Sequence, residues 1–465
     1  MENLKLYNSL SNTIQPFAPI KRKQVGVYSC GPTVYNYMHI GNLRAFMFAD
    51  ITKRVLQYNG FNVYHVMNIT DVDDKTIRDS NASGMSLNDF TKKYTHEFFK
   101  DLDSINIIHA DRYPRATEHV DQMITMIQDL IDGGYAYISD DKSVYYDISK
   151  YEKYGELSGI DKAVLQNDTR GVNSADEYDK DNAQDFALWK AYDSSDGDAS
   201  WDSPWGRGRP GWHIECSAMA TSYLGKHFDI HTGGIDLKFP HHENEIAQCV
   251  VCSGGEPFAD YWLHNEHLMV DGKKMSKSMD NFYTLRDIID RGHDPMAYRY
   301  FLLQGHYRTQ INFTWESLNA SETALKKLRA KIADLRSASS WWSRLRADID
   351  QPSFLRFLTA INDDMNTSEA LATAWTVAKD STLPPAIRYK TLIDFDRVLG
   401  LKLEQATTKK SNSSDIPFDV EYLLKQRESA RADKNWQLSD ELRDKITDLG
   451  YNVKDTADGQ EISKN

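Results

Sequence analysis

The chain has 465 residues, 26% of them charged, with a net charge of −13. This is the balance of a globular protein of two or three domains with ample core, and it excludes a disordered chain and a generally basic nucleic-acid coat. No apolar run approaches membrane-spanning length, and Met1-Glu2-Asn3-Leu4-Lys5 opens no basic segment followed by an apolar core, so a cytoplasmic location and no membrane partner are expected.

The stretch Val25–Asp50 reads as one unit. An apolar run (Val25, Val27, Tyr28) leads through Cys30-Gly31-Pro32 into His39-Ile40-Gly41-Asn42 and then a helical pattern of Leu43, Phe46, Met47, Asp50, Ile51 and Arg54. A buried strand, a sharp loop and a helix start are implied, with Asn42 able to cap the first turn and Gly41 open to close approach. Free N–H groups and partial positive charge at such a start suit a phosphate, and His39 adds donors there.

Farther on, Phe61–Asn68 reads as a second strand, and Asn68–Lys75 opens a helix with a cluster of acids, for which capping by Asp73 and Asp74 is the simpler reading than metal binding. Strand, helix, strand, helix argues for a parallel sheet with its site at the carboxyl ends of the strands, near Gly31, Thr70 and Asp71. From about Tyr113 the pattern changes to a helix over 116–132, short strands around 135–138 and 144–148, and an acid-rich, exposed tract over 167–203, which together predict an inserted subdomain. The sheet is expected to resume as a strand at Gly211–Cys216, to continue through Phe228–Gly234, and to lead to a helix starting at His241. Beyond Ile311 the pattern is helical, with a basic stripe of Lys326, Lys327, Arg329, Lys331, Arg336, Arg344 and Arg346 that suits a solvated face or an RNA backbone. Thr407–Ser414 reads as a linker, and a tail helix is expected from about Ile416 to Leu449.

Four cysteines are present. Cys249 and Cys252 follow a helical run, where two buried, inert thiols are the expectation. Cys30 and Cys216 end other predicted strands. His241 and Glu245, four apart on a helix begun by Pro240, can aim at a common point, with His242 facing elsewhere. One imidazole, one carboxylate and two thiols make a plausible zinc set, although spacing alone favours a helix-capping, satisfied pair. Downstream, Asp271-Gly272-Lys273-Lys274-Met275-Ser276-Lys277-Ser278 is a Gly-led, Ser-rich loop whose ammonium groups can close over a triphosphate and neutralise charge on leaving pyrophosphate, Lys277 closest.

His-Ile-Gly-Asn and Lys-Met-Ser-Lys-Ser resemble the two signatures of class I aminoacyl-tRNA synthetases. The stretches YSCGPTVYNYMHIGN, GWHIECSAM and FPHHENEIAQ resemble the cysteinyl-tRNA synthetase family over nearly the entire chain. That resemblance implies an α/β fold, with a split Rossmann-type parallel-sheet catalytic domain (1–112 and 205–310), an inserted connective subdomain (113–204), a helical bundle (311–404), a linker (405–415) and an anticodon-binding domain (416–465). It implies one zinc ion on Cys30, Cys216, His241 and Glu245. ATP with Mg²⁺ would be met by Pro32, Thr33, His39, Gly41, Asn42, Gly233, Gly234, Lys274, Met275, Ser276, Lys277 and Ser278, of which His39, Asn42, Lys274 and Lys277 would serve catalysis. Cysteine would meet Gly31, Thr70, Trp212 and Asp236, and the anticodon of tRNA would meet Arg431, Trp436 and Asp440 in a chain expected to act as a monomer. Where the family commonly has glycine this sequence has Glu266, which leaves the loop shape before the lysine loop open. The rival expectations are a cysteine ligase acting on an amino-sugar, which needs no anticodon-reading tail, and a non-catalytic RNA-binding paralogue, which needs neither signature nor zinc.

Overall fold

An N-terminal hairpin, β1 (Lys5–Asn8) with β2 (Thr13–Pro16), precedes the first strand of the central sheet, β3 (Gln24–Ser29). In this computed structural model residues 3–160, 185–275, 281–405, 418–432, 435–456 and 459–464 are described. After β3 come α1 (Ile40–Tyr58), β4 (Asn62–Met67), α2 (Asp74–Ser83) and α3 (Leu87–Ser104). The insert follows, with α4 (Val120–Asp132) and the antiparallel strands β5 (Ala136–Ile138), β6 (Val144–Tyr146), β7 (Phe186–Ala191) and β8 (Gly208–Pro210). The chain then returns through α5 (Trp212–Leu224), β9 (Phe228–Gly234), α6 (Glu243–Ser253) and β10 (Ala259–Asn265).

The four central strands are parallel in the order β10-β9-β3-β4. Because β4 lies on one side of β3 and β9 on the other, the connections diverge between β3 and β9, and a parallel sheet of this kind opens a crevice at such a switch point. Cys30 sits there, its N–H donating to the Thr232 carbonyl at 3.3 Å. Apolar side chains fill both faces of the sheet. Val25, Val27 and Val63 pack with α1 and the C-terminal helices, whereas Tyr28 and Val66 pack with α4, α5, α6 and the insert.

Several expectations are corrected. Residues 212–216 do not resume the sheet. They begin α5, in which every residue from His213 to Ala220 is buried, and a short run buried on all sides cannot be told from a buried strand by periodicity. Cys216 therefore lies on a helix. Gly211 makes the turn into α5 possible, since a Cβ there would lie 2.0 Å from the Ala187 carbonyl oxygen. The expected exposed tract over 167–203 contains the buried strand β7, whose Phe186, Leu188 and Trp189 form the insert's core; residues 161–184 lie outside those described. The helix expected from His241 begins as a wider turn over Lys238–His242 and becomes regular at Glu243. The tail is two helices, Phe418–Ala432 and Trp436–Asp448, the second capped by Asn435, and a hairpin of Tyr451–Thr456 with Gly459–Lys464 that the sequence reading missed. The residues 406–417, which include the expected linker stretch Thr407–Ser414, lie outside those described.

Asp73 caps α2, as its place in the acid cluster predicts, accepting from Lys75 N at 2.6 Å and Thr76 N at 3.2 Å. Its neighbour Asp74 does different work: it pairs with Lys190 of β7 at 2.9 Å and with Arg209 of β8, tying α2 to the insert. Burial opposes charge on Asp74, but Arg209 and Lys190 outweigh it and hold the carboxyl at about 2. An unfolded aspartate titrates near ~3.9, so the pair's contribution to stability is complete above that value and drains away as pH falls toward 2. Asp74→Asn should lower the thermal midpoint at neutral pH, and the gap between native and variant midpoints should close on acidification from pH ~5.

Candidate active site and metal centre

The N-cap residue of α1 is His39, and Asn42, expected to cap the first turn, completes the cap from the third helical position. The His39 Nδ1 accepts from Asn42 N at 3.0 Å, and the Asn42 Oδ1 accepts in return from His39 N at 3.3 Å, a reciprocal box that satisfies two of the helix's orphan donors. An Nδ1 that accepts an N–H carries no proton, which assigns the ring proton of a neutral His39 to Nε2. The ring meets Phe282 edge-on at 5.1 Å, and the Ile40 N–H donates to the Tyr283 carbonyl at 2.8 Å, so the first turn is fastened to the segment that follows the lysine loop.

At the switch point a second cluster is buried. Cys30 Sγ lies 3.9 Å from Cys216 Sγ and 3.6 Å from Glu245 Oε1, and His241 Nε2 lies 3.0 Å from the same oxygen. The ligand atoms of Cys30, Cys216, His241 and Glu245 all fall within 4.8 Å of one another, and so do those of Cys30, His231, His242 and Glu245. The cluster needed more histidine than the sequence reading allotted. His231 Nε2 donates to Glu245 Oε2 at 2.8 Å, His213 meets His241 at 3.0 Å, and His242, expected to face away, places Nε2 3.3 Å from Cys30 Sγ. From His242 a chain continues to His264 at 2.8 Å and to Ser9 Oγ at 2.8 Å. The signal available was density, since six of the 14 histidines lie from 213 to 264 and five of those six meet here through buried elements.

Electrostatics sort these groups. Burial opposes charge on both Glu245 and His241, yet their mutual attraction, with His231 acting on Glu245 and Cys216 on His241, wins: Glu245 falls to about 2 and His241 rises to about 10. Burial keeps His213 and His242 neutral and lowers His264 to about 3. Of the two facing thiols, Cys216 is the more acidic, stabilised as thiolate by the Cys30 S–H, whereas burial raises Cys30. Two sulfurs, an imidazole and a carboxylate are a donor set suited to zinc.

A cleft of about 420 Å³ joins the two clusters. Cys30, Gly31, Pro32, Thr33, His39, Gly41, Asn42, Trp212, Gly234, Asp236, Lys274 and Met275 line it, together with Lys75 and Glu266, to which the sequence reading gave no substrate contact. Trp212 stacks on His241 at 4.2 Å, so one residue walls the cleft and fixes an imidazole. Gly31 must lack a side chain, because a Cβ would meet the Asn68 carbonyl at 1.7 Å. Two residues stay behind the lining. Thr70 is buried against the 32–34 loop, donating N–H to Pro32 O at 3.0 Å, and Gly233 is covered by the His242 ring. Ser276, Lys277 and Ser278 lie outside the described residues; the flanking Asn281 donates to Lys274 O at 3.1 Å. Glu266 does not strain its loop, since it is not among the residues with left-handed backbone.

In the tail, Trp436 is 57% exposed, the Arg431 guanidinium lies 5.7 Å from its ring and 3.0 Å from Asp455, and Asp440 pairs with Arg443 at 3.0 Å. Three members of the basic stripe have partners nearby, Lys326 with Glu322, Arg329 with Asp294 and Arg344 with the Arg336 carbonyl at 2.6 Å, while Lys326, Lys327, Lys331, Arg336 and Arg346 are exposed. Among the described residues no helix is long and apolar enough to cross a membrane.

The family model described as tRNA synthetases class I (C) catalytic domain matches residues 16–323, and the one described as cysteinyl-tRNA ligase anticodon binding domain matches residues 413–462. The chain belongs to the cysteinyl-tRNA ligase family of class I aminoacyl-tRNA synthetases. It is 47% identical to the cysteine–tRNA ligase of Brachyspira hyodysenteriae over 472 residues, 99% of each chain, and 47% identical to that of Chlamydia trachomatis serovar A over 479 residues, 99% of this chain and 100% of the other. Among solved structures it resembles the methionyl-tRNA synthetase of Mycobacterium tuberculosis bound by methionyl-adenylate (13% identity, TM-score 0.54, 83% of this chain and 92% of that). It also resembles a leucyl-tRNA synthetase in a ternary complex from Agrobacterium radiobacter (11% identity, TM-score 0.58, 83% and 84%). At such identities these two bear on the fold alone, a class I ligase fold with its parallel sheet, helical region and tail.

Of the remaining thiols of this family member, Cys249 is buried as expected, whereas Cys252, also expected to be buried, is only partly so. Burial raises Cys249 and pushes Cys252 up to about 12. Alkylation by iodoacetamide at pH 8, mapped by mass spectrometry, should leave both unmodified in the native protein and label both once it is denatured.

Proposed function

We propose that this ligase activates cysteine with ATP and transfers it to tRNA, and that a zinc ion on Cys30, Cys216, His241 and Glu245 is how it tells cysteine from serine. A cysteine carboxylate oxygen attacks the α-phosphorus and pyrophosphate leaves; a terminal ribose hydroxyl of tRNA then attacks the carbonyl carbon and AMP leaves. The observation that carries the reading is the convergence of two thiols, an imidazole and a carboxylate at one end of the cleft that also holds the His39–Asn42 helix start.

Within that cleft the chain's own groups position and stabilise. The helix start and His39 face charge developing on the phosphate, Lys274 and Lys277 receive the leaving pyrophosphate, and Mg²⁺ enters with ATP. Gly31, Trp212 and Asp236 border the amino acid, with Thr70 holding the loop behind them; Gly234 offers bare backbone to adenosine, with Gly233 behind it. Serine is nearly isosteric with cysteine, and apolar fit alone separates such a pair by only ~10–200-fold. Zinc, when bound, supplies a borderline-soft Lewis acid that takes a thiolate far better than a hydroxyl. The exposed Trp436, with Arg431 and Asp440, suits stacking and polar contact with unpaired anticodon bases, a tail for which the amino-sugar ligase has no use. A binding-only paralogue would have no use for the metal-binding set. The substrates are those of translation, which favours a cytoplasmic place of work, and all proposed contacts come from one chain.

Cobalt-substituted protein should gain a thiolate-to-metal absorption band on addition of cysteine but not of serine; an unchanged spectrum with cysteine would reduce the metal to a structural role. Deleting residues from Asp415 onward should leave ATP–pyrophosphate exchange nearly intact while impairing tRNA aminoacylation. Equal loss in both assays would assign the tail to support of the catalytic core.

A further inference from the structure

The cleft wall carries, just past the end of β10, a carboxylate that the reaction described above does not use. Glu266 follows the last residue of β10 and is half-buried in the cleft wall beside His267, Leu268 and Met275. Its backbone is held on both sides: the N–H donates to Tyr307 O at 2.8 Å and the carbonyl accepts from Asn265 Nδ2 at 3.1 Å. The buried Arg44 clamps the same loop, donating to His267 O at 2.5 Å and to Thr309 O at 2.5 Å. One carboxylate oxygen, Oε2, accepts from His267 N at 3.0 Å, which orients the group, while Oε1 has no hydrogen bond among the described residues.

We propose that Glu266 selects the base of the nucleotide, its Oε1 accepting a hydrogen bond from the 6-amino group of adenine. The inference rests on the ATP-dependent reading above and is carried by place and by chemistry. An aminoacyl-adenylate runs from amino acid to phosphate to ribose to base. With the amino acid at Cys30, after β3, and the phosphate at the α1 start, the base lies toward the far end of the cleft. Strand β10 stands two places from β3, roughly 10 Å away across the sheet, which is the base's end of the molecule. An ionised carboxylate only accepts hydrogen bonds; adenine presents a donor at position 6, whereas guanine presents an acceptor there, and a phosphate at this place would be repelled.

The test is pyrophosphate exchange by the full chain with ATP, with purine riboside 5′-triphosphate, which lacks the 6-amino group, and with 2′-deoxy-ATP. In kcat/KM the unaltered chain should prefer ATP to purine riboside triphosphate by about tenfold or more. Glu266→Gly should erase that preference, Glu266→Gln, whose amide oxygen still accepts, should keep most of it, and the 2′-deoxy-ATP to ATP ratio should stay constant throughout. A Gly variant that keeps the preference, that loses both purine nucleotides equally, or that alters the 2′-deoxy ratio overturns the proposal in favour of no contact, a loop-shaping role or a ribose contact, respectively. Should the unaltered chain show no exchange at all, the reaction assignment fails instead, and thermal shifts measured with ATP and with purine riboside triphosphate on the three proteins still decide the role of Glu266.

Discussion

The buried carboxylate of Asp50 fixes α1, and everything at the head of that helix depends on it. Its oxygens accept from Arg54 Nε at 2.8 and 2.9 Å, from Arg299 Nη2 at 2.7 Å and from Ile108 N at 2.8 Å. The two guanidiniums reach onward to the carbonyls of Ile105, Asn106, Arg397 and Leu399. Removing one partner from such a buried set costs about 3–5 kcal/mol, because the cations left behind would lose their hydrogen-bonded counter-charge. Gly400 leaves them the room, since a Cβ there would lie 2.5 Å from Arg299 Nη2. One residue before Arg299, the Tyr298 hydroxyl donates to the Ile40 carbonyl at 2.6 Å. Helix Pro295–Leu303 thus holds α1 at its middle and at its first turn, and His39 inherits a fixed position from residues that never meet the substrate.

The histidines around Glu245 show a second kind of fixing. Both carboxylate oxygens are engaged by imidazoles, and one of those rings is stacked on Trp212 while the other is stacked on Trp262 at 4.4 Å. A ligand whose lone pairs and ring planes are set by neighbours of this kind does not have to be ordered by the ion it receives. The two donor groups share Cys30 and Glu245, so these two residues are the hinge of the metal-binding region while Cys216 with His241 and His231 with His242 flank it.

What could be read from the sequence was whatever depends on local spacing. The strand before Cys30, the helix start at His39–Asn42 and the i, i+4 meeting of His241 with Glu245 follow from periodicities of two and 3.6, and the structure has all three. Less legible was anything set by burial on every side. Residues 213–220 are buried on every side, His213 and Glu215 included, because α5 lies between sheet and insert, and such a run gives no face to read. The N-cap position went to His39, with Asn42 completing the cap, because an imidazole nitrogen can accept as an asparagine oxygen does, and only coordinates distinguish the two members of a reciprocal box. His231, His242 and His264 belong to separate elements, and spacing along the chain carries no information about their meeting.

The pairing of β3 with β9 across the insert has a consequence for how the protein is made. Cys30 and Glu245 are separated by 215 positions, and neither the cleft nor its metal-binding end exists until the second half of the sheet is in place. Contacts so distant along the chain form slowly. On the ribosome, the first strand and helix therefore emerge with one face of β3 uncovered and a cysteine at its tip, and wait for most of the chain to be synthesised before either is buried. Assembly of the donor set around Cys30 is in this sense a late event of biosynthesis, and a truncated nascent chain would present Cys30 as an ordinary, reactive thiol.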